Sequence, residues 1–134
     1  MKKKFIFAVI AAGVLGLSVL GFFVLGGVSK VEKFGELPNV YAGKTAIGSI
    51  LVNPKKYLDK TVVIEGVIAK ECPGGCWMHV RDTSGGVMFV EMKGTSYAPI
   101  PQRTGKYVMV KGVVYQNQGN TRETKLLGKG LIIK

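Results

Sequence analysis

The sequence holds few residues of the kinds that carry out chemistry. Its 134 residues contain one histidine, one tryptophan and two cysteines. No paired carboxylates and no serine nucleophile stand at a recognisable spacing from the histidine, so hydrolysis has no support. Neither a P-loop nor a dinucleotide-binding fingerprint occurs, because Gly74-Gly75 and Gly85-Gly86 are isolated pairs. These absences predict a protein that is not an enzyme.

Acidic residues are also scarce, with 8 Asp and Glu against 19 Lys and Arg. Sixteen of the basic residues and all eight acidic ones follow Ser29, which gives that part of the chain a formal charge of +8. Basic charge favours acidic partners such as anionic lipid headgroups, haem propionates, nucleic acid or an acidic protein. The charge alone does not choose among them.

A long apolar run dominates the N-terminus. Residues 5–29 form a stretch of 25 residues without a charge, which as a helix is long enough to cross a bilayer. Lys2, Lys3 and Lys4 precede it, and the positive-inside rule keeps that end in the cytoplasm. We therefore expect a single-pass anchor in the inner (cytoplasmic) membrane, with the C-terminal domain facing the periplasm or its equivalent. A cleaved secretory signal is the alternative.

Composition divides the chain into three parts. Residues 1–29 are expected to be the basic N-terminus and transmembrane anchor. Residues 30–44 combine Lys, Glu, Gly and Pro38 with little periodicity and are predicted to be a juxtamembrane linker. Residues 45–134 are predicted to form one small domain with a modest core.

The domain is predicted to be mainly β. A short helix is expected at Thr45–Leu51, ending before Asn53-Pro54. Turn signals rich in glycine separate segments rich in Val, Ile, Met and Tyr. These segments predict five strands, at Thr61–Lys70, Trp77–Asp82, Val87–Lys93, Lys106–Tyr115 and Lys125–Ile133. An irregular connection is expected around Tyr97–Arg103.

Gly66 and Gly112 lie in the middle of the first and fourth predicted strands, where glycine often marks a bulge or a barrel corner. Five short strands, two of them bent, fit a small, partly open Greek-key barrel of the OB type. The predicted architecture is therefore a five-stranded OB-fold-like barrel preceded by one N-terminal transmembrane helix.

Two segments carry a resemblance to known families. Residues 46–66 (AIGSILVNPKKYLDKTVVIEG) resemble the helix and first strand of bacterial OB-fold domains. Residues 72–78 (CPGGCWM) are similar to the Cys-x-x-x-Cys-Trp-Met motif of an uncharacterised, secreted or membrane-anchored bacterial OB-fold family. The resemblance covers roughly the last 90 residues and implies the fold, while that family leaves the function open.

A more distant resemblance is to the membrane-anchored haem chaperone of cytochrome c maturation, which also joins one N-terminal transmembrane helix to an extracytoplasmic OB barrel. It implies topology only. That family attaches haem through a His with a Tyr four residues later, in a tail after the barrel. Here the sole histidine, His79, lies in a predicted strand and Thr83 stands four residues on.

The segment around the cysteines is the main candidate for function. Strand alternation places Cys76, Met78 and Val80 on one face, and Val80 indicates that this face is buried. Trp77, His79 and Arg81 then lie on the outer face, where OB domains bind ligands. The full set of residues expected on this binding face is Trp77, His79, Arg81, Phe89, Tyr107 and Tyr115.

Three interpretations of Cys72 and Cys76 stay open. The first is a structural disulfide, which suits a small domain in an oxidising compartment. The second is a soft-metal site for a copper ion, formed by both cysteines with Met78 and His79. The third is thiol exchange, although the spacing is one residue longer than Cys-x-x-Cys.

The combined expectation is a membrane-tethered, extracytoplasmic OB-fold binding module in envelope redox, metal or cytochrome-related homeostasis. Its partner would be an envelope protein or a small ligand, with copper, haem or no cofactor at all left open. Nucleic-acid binding is the first alternative, because OB barrels combine basic grooves with aromatic platforms. The second is a structural or adaptor domain that binds other proteins and uses the disulfide only for stability.

Overall fold

The computed structural model describes residues 30–92, 102–119 and 122–134. Within these ranges, short helical segments precede most of the strands. The elements are β1 (Glu32–Gly35), α1 (Ile47–Val52), a 3₁₀ turn (Pro54–Lys56), β2 (Thr61–Glu71), β3 (Trp77–Arg81), β4 (Val87–Glu91), β5 (Tyr107–Gln116) and β6 (Thr124–Ile133).

Five of the strands close into a barrel. β2 pairs antiparallel with both β3 and β5, and β3 pairs antiparallel with β4. β4 runs parallel to the first part of β6, and β6 pairs antiparallel with β5. The order around the barrel is therefore β2-β3-β4-β6-β5, returning to β2. The predicted mainly β, five-stranded barrel is confirmed, and its strand order is consistent with an OB-fold-like protein.

The two predicted strand glycines stand where the barrel is tightly packed. Gly112 lies at a shift of register between β5 and β6. In β2 the irregularity lies slightly later, between Ile68 and Lys70. Gly66 instead permits a close approach, since a Cβ atom there would lie 2.1 Å from the carbonyl oxygen of Arg81. A Cβ atom at Gly112 would likewise lie 2.7 Å from the carbonyl oxygen of Leu127 in β6, so both positions need glycine because of the neighbouring strand.

The barrel interior is apolar, as the alternation of the strands requires. Every second residue of β3 and β4 is buried, and β2, β5 and β6 add β-branched and leucine side chains. The core cluster consists of Ile47, Ile50, Val62, Ile64, Ile68, Met78, Val80, Met88, Val90, Met92, Val108, Val110, Val114, Leu126, Leu131 and Ile133.

Helix α1 contributes to this core from outside the sheet. Its two core side chains, Ile47 and Ile50, are fully buried. The residue before the helix is Ala46, which has no side chain able to accept a hydrogen bond. The turn between β3 and β4 supplies the acceptors instead, because Asp82 Oδ2 lies 2.7 Å from the Ile47 amide nitrogen and Ser84 Oγ lies 2.9 Å from that of Gly48. These bonds attach the helix to the barrel.

Strand β1 was not predicted, and it lies inside residues 30–44, the expected linker. Its residues pair antiparallel with the last residues of β6, from Gly130 to Ile133. Glu32 also forms a two-point ion pair with Arg103, at 2.7 Å and 2.8 Å. A four-residue strand is too short to show a period of alternation, which is why the sequence pattern did not reveal it.

The expected transmembrane segment, residues 5–29, lies outside the described ranges. Among the residues that are described, no helix combines the length and the hydropathy that crossing a bilayer requires. The expected connection at Tyr97–Arg103 falls mostly outside the described ranges as well.

Candidate binding face

The loop between β2 and β3 is closed by a disulfide between Cys72 and Cys76. The two Cα atoms lie 5.8 Å apart, within the usual range for a bridged pair. Inside the loop the Gly75 amide donates to the Cys72 carbonyl, and Gly75 has a φ of 73°, a conformation that favours glycine. The Cys72 amide donates to the Trp77 carbonyl, so the loop leads directly into β3. The structure agrees with the first of the three interpretations of the cysteines, a disulfide.

The proposed soft-metal ligands do not come together. Both sulfurs belong to the disulfide, Met78 is buried in the barrel at 2% exposure, and His79 points to the opposite side of β3. In the part of the chain that the structure describes, no group of three or more His, Cys, Asp or Glu side chains is placed to hold a metal ion. The residues around Cys72 therefore do not fit a copper site.

We expect the disulfide to contribute modestly to stability. Closing a loop of this length restricts the unfolded chain by about 2 kcal/mol in the loop-entropy account. The double variant C72S/C76S should lower the free energy of unfolding by about that amount, measured by urea denaturation. The wild type with added reductant serves as the matched control and should lose the same amount. A larger loss in the double variant alone would assign a further role to the sulfur atoms.

Three rings form a continuous cluster on the outside of β3 and β4. The ring centroids of Trp77 and Phe89 lie 5.6 Å apart and nearly parallel, at 27°. The His79 ring lies 5.1 Å from Trp77 and 5.5 Å from Phe89. These separations are those of favourable aromatic pairs. All three rings are partly exposed, so this outward cluster confirms the predicted alternation along β3.

A lysine and a tyrosine extend the cluster across the barrel. Lys125 lies beside Phe89 in the parallel β4–β6 pairing and opposite Tyr115 in β5. Its Nζ stands 4.6 Å from the Phe89 ring centroid, a cation–π contact. The resulting surface crosses four strands, and we call it the aromatic face. It consists of Trp77, His79, Phe89, Lys125 and Tyr115.

Glu91 completes the polar edge of the aromatic face. The Tyr115 hydroxyl donates to the Glu91 carboxylate. Partial burial and this hydrogen bond raise the pKa of Tyr115 well above its ordinary value, so the phenol stays protonated. The sequence pattern did not identify Glu91 and Lys125, because only the pairing of strands that are distant in the sequence brings these residues to the aromatic face.

A shallow hollow of about 330 Å³ adjoins the aromatic face. His79 and Phe89 line one side, and Leu51, from α1, lines another. Arg122 and Glu123, from the segment before β6, provide charge at its edge. The aromatic face thus adjoins a concave surface that carries apolar groups together with one basic and one acidic side chain.

Two predicted binding residues lie elsewhere. Arg81 and Tyr107 line a separate hollow on the outside of β2, together with Val67 and Glu65. The Tyr107 hydroxyl donates to the Glu65 carboxylate, and partial burial with this bond raises the pKa of Tyr107 to about 12. The predicted binding face therefore divides into two surfaces.

The two tyrosine–glutamate pairs predict sensitivity to alkali. Each phenol has a pKa that is raised in the folded state. The stability that each phenol contributes is therefore complete below pH 10 and is lost at higher pH; for Tyr107 the loss occurs as the pH rises toward about 12. Urea denaturation at pH 9 and at pH 11 should show a lower free energy of unfolding at pH 11. The double variant Y107F/Y115F should lose less stability over this interval. An identical loss in the variant would assign the alkaline effect to other groups.

The architecture defines the class of protein, a small closed β-barrel with an aromatic outer face. No protein-family model and no curated protein matches the sequence. Among solved structures, the chain is similar to the structure of the hypothetical protein ygiW from E. coli, with a TM-score of 0.42 and 19% identity. The match covers 69% of this chain and 90% of that chain. These comparisons assign no function, so a function has to be argued from the residues of this chain.

Proposed function

We propose that this protein is a membrane-tethered, extracytoplasmic binding module without catalytic activity, and that its aromatic face binds a planar ligand carrying negative charge. The apolar run of residues 5–29 supports the tether. The Cys72–Cys76 disulfide supports an oxidising compartment, because such bonds are rare in the cytosol. The formal charge of +8 after Ser29 supports an anionic ligand.

The single observation that carries the proposal is the contact of three rings on one outward surface. Trp77 and Phe89 are nearly parallel and present a wall against which a flat ligand can stack. The His79 ring is partly exposed beside Trp77 and Phe89, which places an imidazole next to this wall. Arg122 places positive charge nearby, and Lys125, which also pairs with Glu123 at 3.4 Å, adds a second cation.

Haem is a planar, negatively charged molecule that envelope proteins handle, and it suits these residues best. The imidazole of His79 would hold the iron, the neighbouring rings would stack on the macrocycle, and Lys125 and Arg122 would lie near carboxylates such as the haem propionates. When bound, haem would supply the redox-active iron. A role in cytochrome-related homeostasis is therefore preferred over one in copper handling, for which the sulfur ligands are not free.

A haem titration tests this ligand. The full chain in phosphatidylcholine nanodiscs is titrated with haem, and the Soret absorbance is followed against empty nanodiscs. We expect a saturable shift, and H79F should weaken binding at least about tenfold, since the nitrogen that would hold the iron is lost while an aromatic ring remains. Y41A, which removes a ring with 94% exposure outside the aromatic face, is the control and should bind like wild type. Equal binding by H79F would refute His79 as the haem ligand.

Single-stranded nucleic acid is the second candidate. The row His79, Phe89, Lys125 and Tyr115 alternates rings with a cation across the β-sheet, as in stacking platforms for bases. A fluorescent oligonucleotide should then bind with an affinity that falls steeply as salt rises. Binding to DNA without binding to haem would replace the first proposal with this one. Binding to neither would favour the adaptor alternative.

A topology reporter tests the compartment. A reporter fused after Lys134 that is active only outside the cytoplasm should be active in cells. Activity of a matched cytosolic reporter at the same position would contradict the extracytoplasmic location. The haem and nucleic-acid titrations use purified protein, so their outcome does not depend on this one.

A further inference from the structure

The hollow on the outside of β2 is separate from the aromatic face and larger. Its volume is about 660 Å³, within the range of pockets for small molecules. Its centre is a row of three neighbours on adjacent strands, with Val67 in β2 paired to Arg81 in β3 and to Tyr107 in β5. The segment Lys44–Ala46 forms a further wall.

The floor of the hollow is apolar and held in shape by backbone packing. Val67 is 45% exposed although it is a large aliphatic residue, and Ala46 and Ala69 extend the apolar surface. Gly66, which precedes Val67 in β2, lies so close to the Arg81 carbonyl that no side chain fits there. A groove therefore exists without rearrangement, which lowers the cost of binding.

The charged side chains that line the hollow differ in whether they already have partners within the protein. Glu65 accepts a hydrogen bond from Tyr107, and both Asp82 oxygens accept bonds, one from the Ile47 amide and the other from Ser84. Lys44, a cation at the wall, donates to the Val40 carbonyl. The Arg81 guanidinium, in contrast, is exposed and makes no hydrogen bond or ion pair with any residue in the described ranges. The acids are thus occupied within the protein, and the guanidinium is available.

We propose that this hollow binds a small amphipathic monocarboxylate, with its carboxylate on Arg81 and its apolar part on Val67 and Ala69. The planar guanidinium matches a carboxylate through two parallel hydrogen bonds. The Glu65 carboxylate nearby disfavours a dianion such as phosphate. The exposed Val67 side chain gives a ligand with an apolar tail more contact than acetate would gain. The site is independent of the aromatic face and of its ligand.

The test uses hexanoate as the probe and hexan-1-ol as its uncharged analogue, because neither has a ring that could stack on the aromatic face. Binding to the full chain in phosphatidylcholine nanodiscs is measured by saturation-transfer NMR against empty nanodiscs. We expect saturable binding of the acid and affinity lower by about tenfold or more for the alcohol, because one charge-assisted pair is lost. R81Q should weaken binding of the acid by the same factor, while R122Q, which removes the same charge beside the aromatic face, should not.

A second variant keeps the proposal testable if R81Q fails to fold. V67D places a carboxylate on an exposed position in the floor of the hollow and should abolish binding of the acid. W77A should leave it unchanged, which separates this site from the aromatic face. Equal binding of acid and alcohol, or wild-type affinity in R81Q or V67D, would overturn the proposal.

Discussion

Replacing Gly66 by alanine should destabilise the domain by about 3 kcal/mol or more, at or above the upper end of the usual range for overpacking. The added Cβ would lie 2.1 Å from the carbonyl oxygen of Arg81 and 2.8 Å from its carbonyl carbon. Both are backbone atoms of a paired strand, so no side-chain rotation relieves the overlap. The β2–β3 pairing must separate locally, and the hollow beside Arg81 would deform with it.

The matched control for this substitution is G43A, because nothing lies within 4 Å of a Cβ atom at that position. Urea denaturation of the full chain, followed by the fluorescence of Trp77, gives both free energies of unfolding. G43A should be within about 0.5 kcal/mol of wild type, as for most surface changes. A G66A protein as stable as G43A would show that β2 and β3 do not approach as closely as described.

Replacing Leu126 by alanine should cost about 2 to 5 kcal/mol, the range for buried leucines. Leu126 is fully buried, and it stands opposite Val90 in the parallel pairing and Val114 in the antiparallel pairing. The parallel pairing is short, from Phe89 to Glu91 on β4, and it is the contact that closes the barrel. A cavity at Leu126 therefore weakens the β4–β6 pairing that closes the barrel.

L37A is the control for Leu126, since it deletes the same atoms from a side chain that is 43% exposed. Its effect should be much smaller, because less apolar surface leaves water when that residue folds. The same urea denaturation compares the two variants. Equal losses in L126A and L37A would contradict the placement of Leu126 between β4 and β5.

The five strands of the barrel could be predicted because their signals are local. Runs rich in Val, Ile and Met end at glycine turns, and the predicted ranges agree with β2 to β6 within about two residues. Helix α1 was expected at Thr45–Leu51 and lies at Ile47–Val52. β1 could not be predicted, since its position depends on pairing with β6 almost one hundred residues later. No local pattern in the sequence indicates that contact.

The candidate site was predicted in part for the same reason. Alternation along β3 correctly separated Met78 from Trp77 and His79. It did not place Lys125 beside Phe89, because that contact needs the register of a parallel pair formed across the barrel. Nor did it separate Arg81 and Tyr107 from the aromatic face, because both lie beside Val67 of β2 and line a different hollow.

The central claim is that the aromatic face is the ligand-binding surface, and Trp77 reports on it directly. It is the sole tryptophan of the chain and lies within the cluster, so its fluorescence responds to a ligand stacked there. Titration of the full chain in nanodiscs with haem should quench this fluorescence saturably at one ligand per chain, and F89A should weaken the quenching at least about fivefold. Quenching that is linear and unsaturable, or unchanged in F89A, would contradict the account.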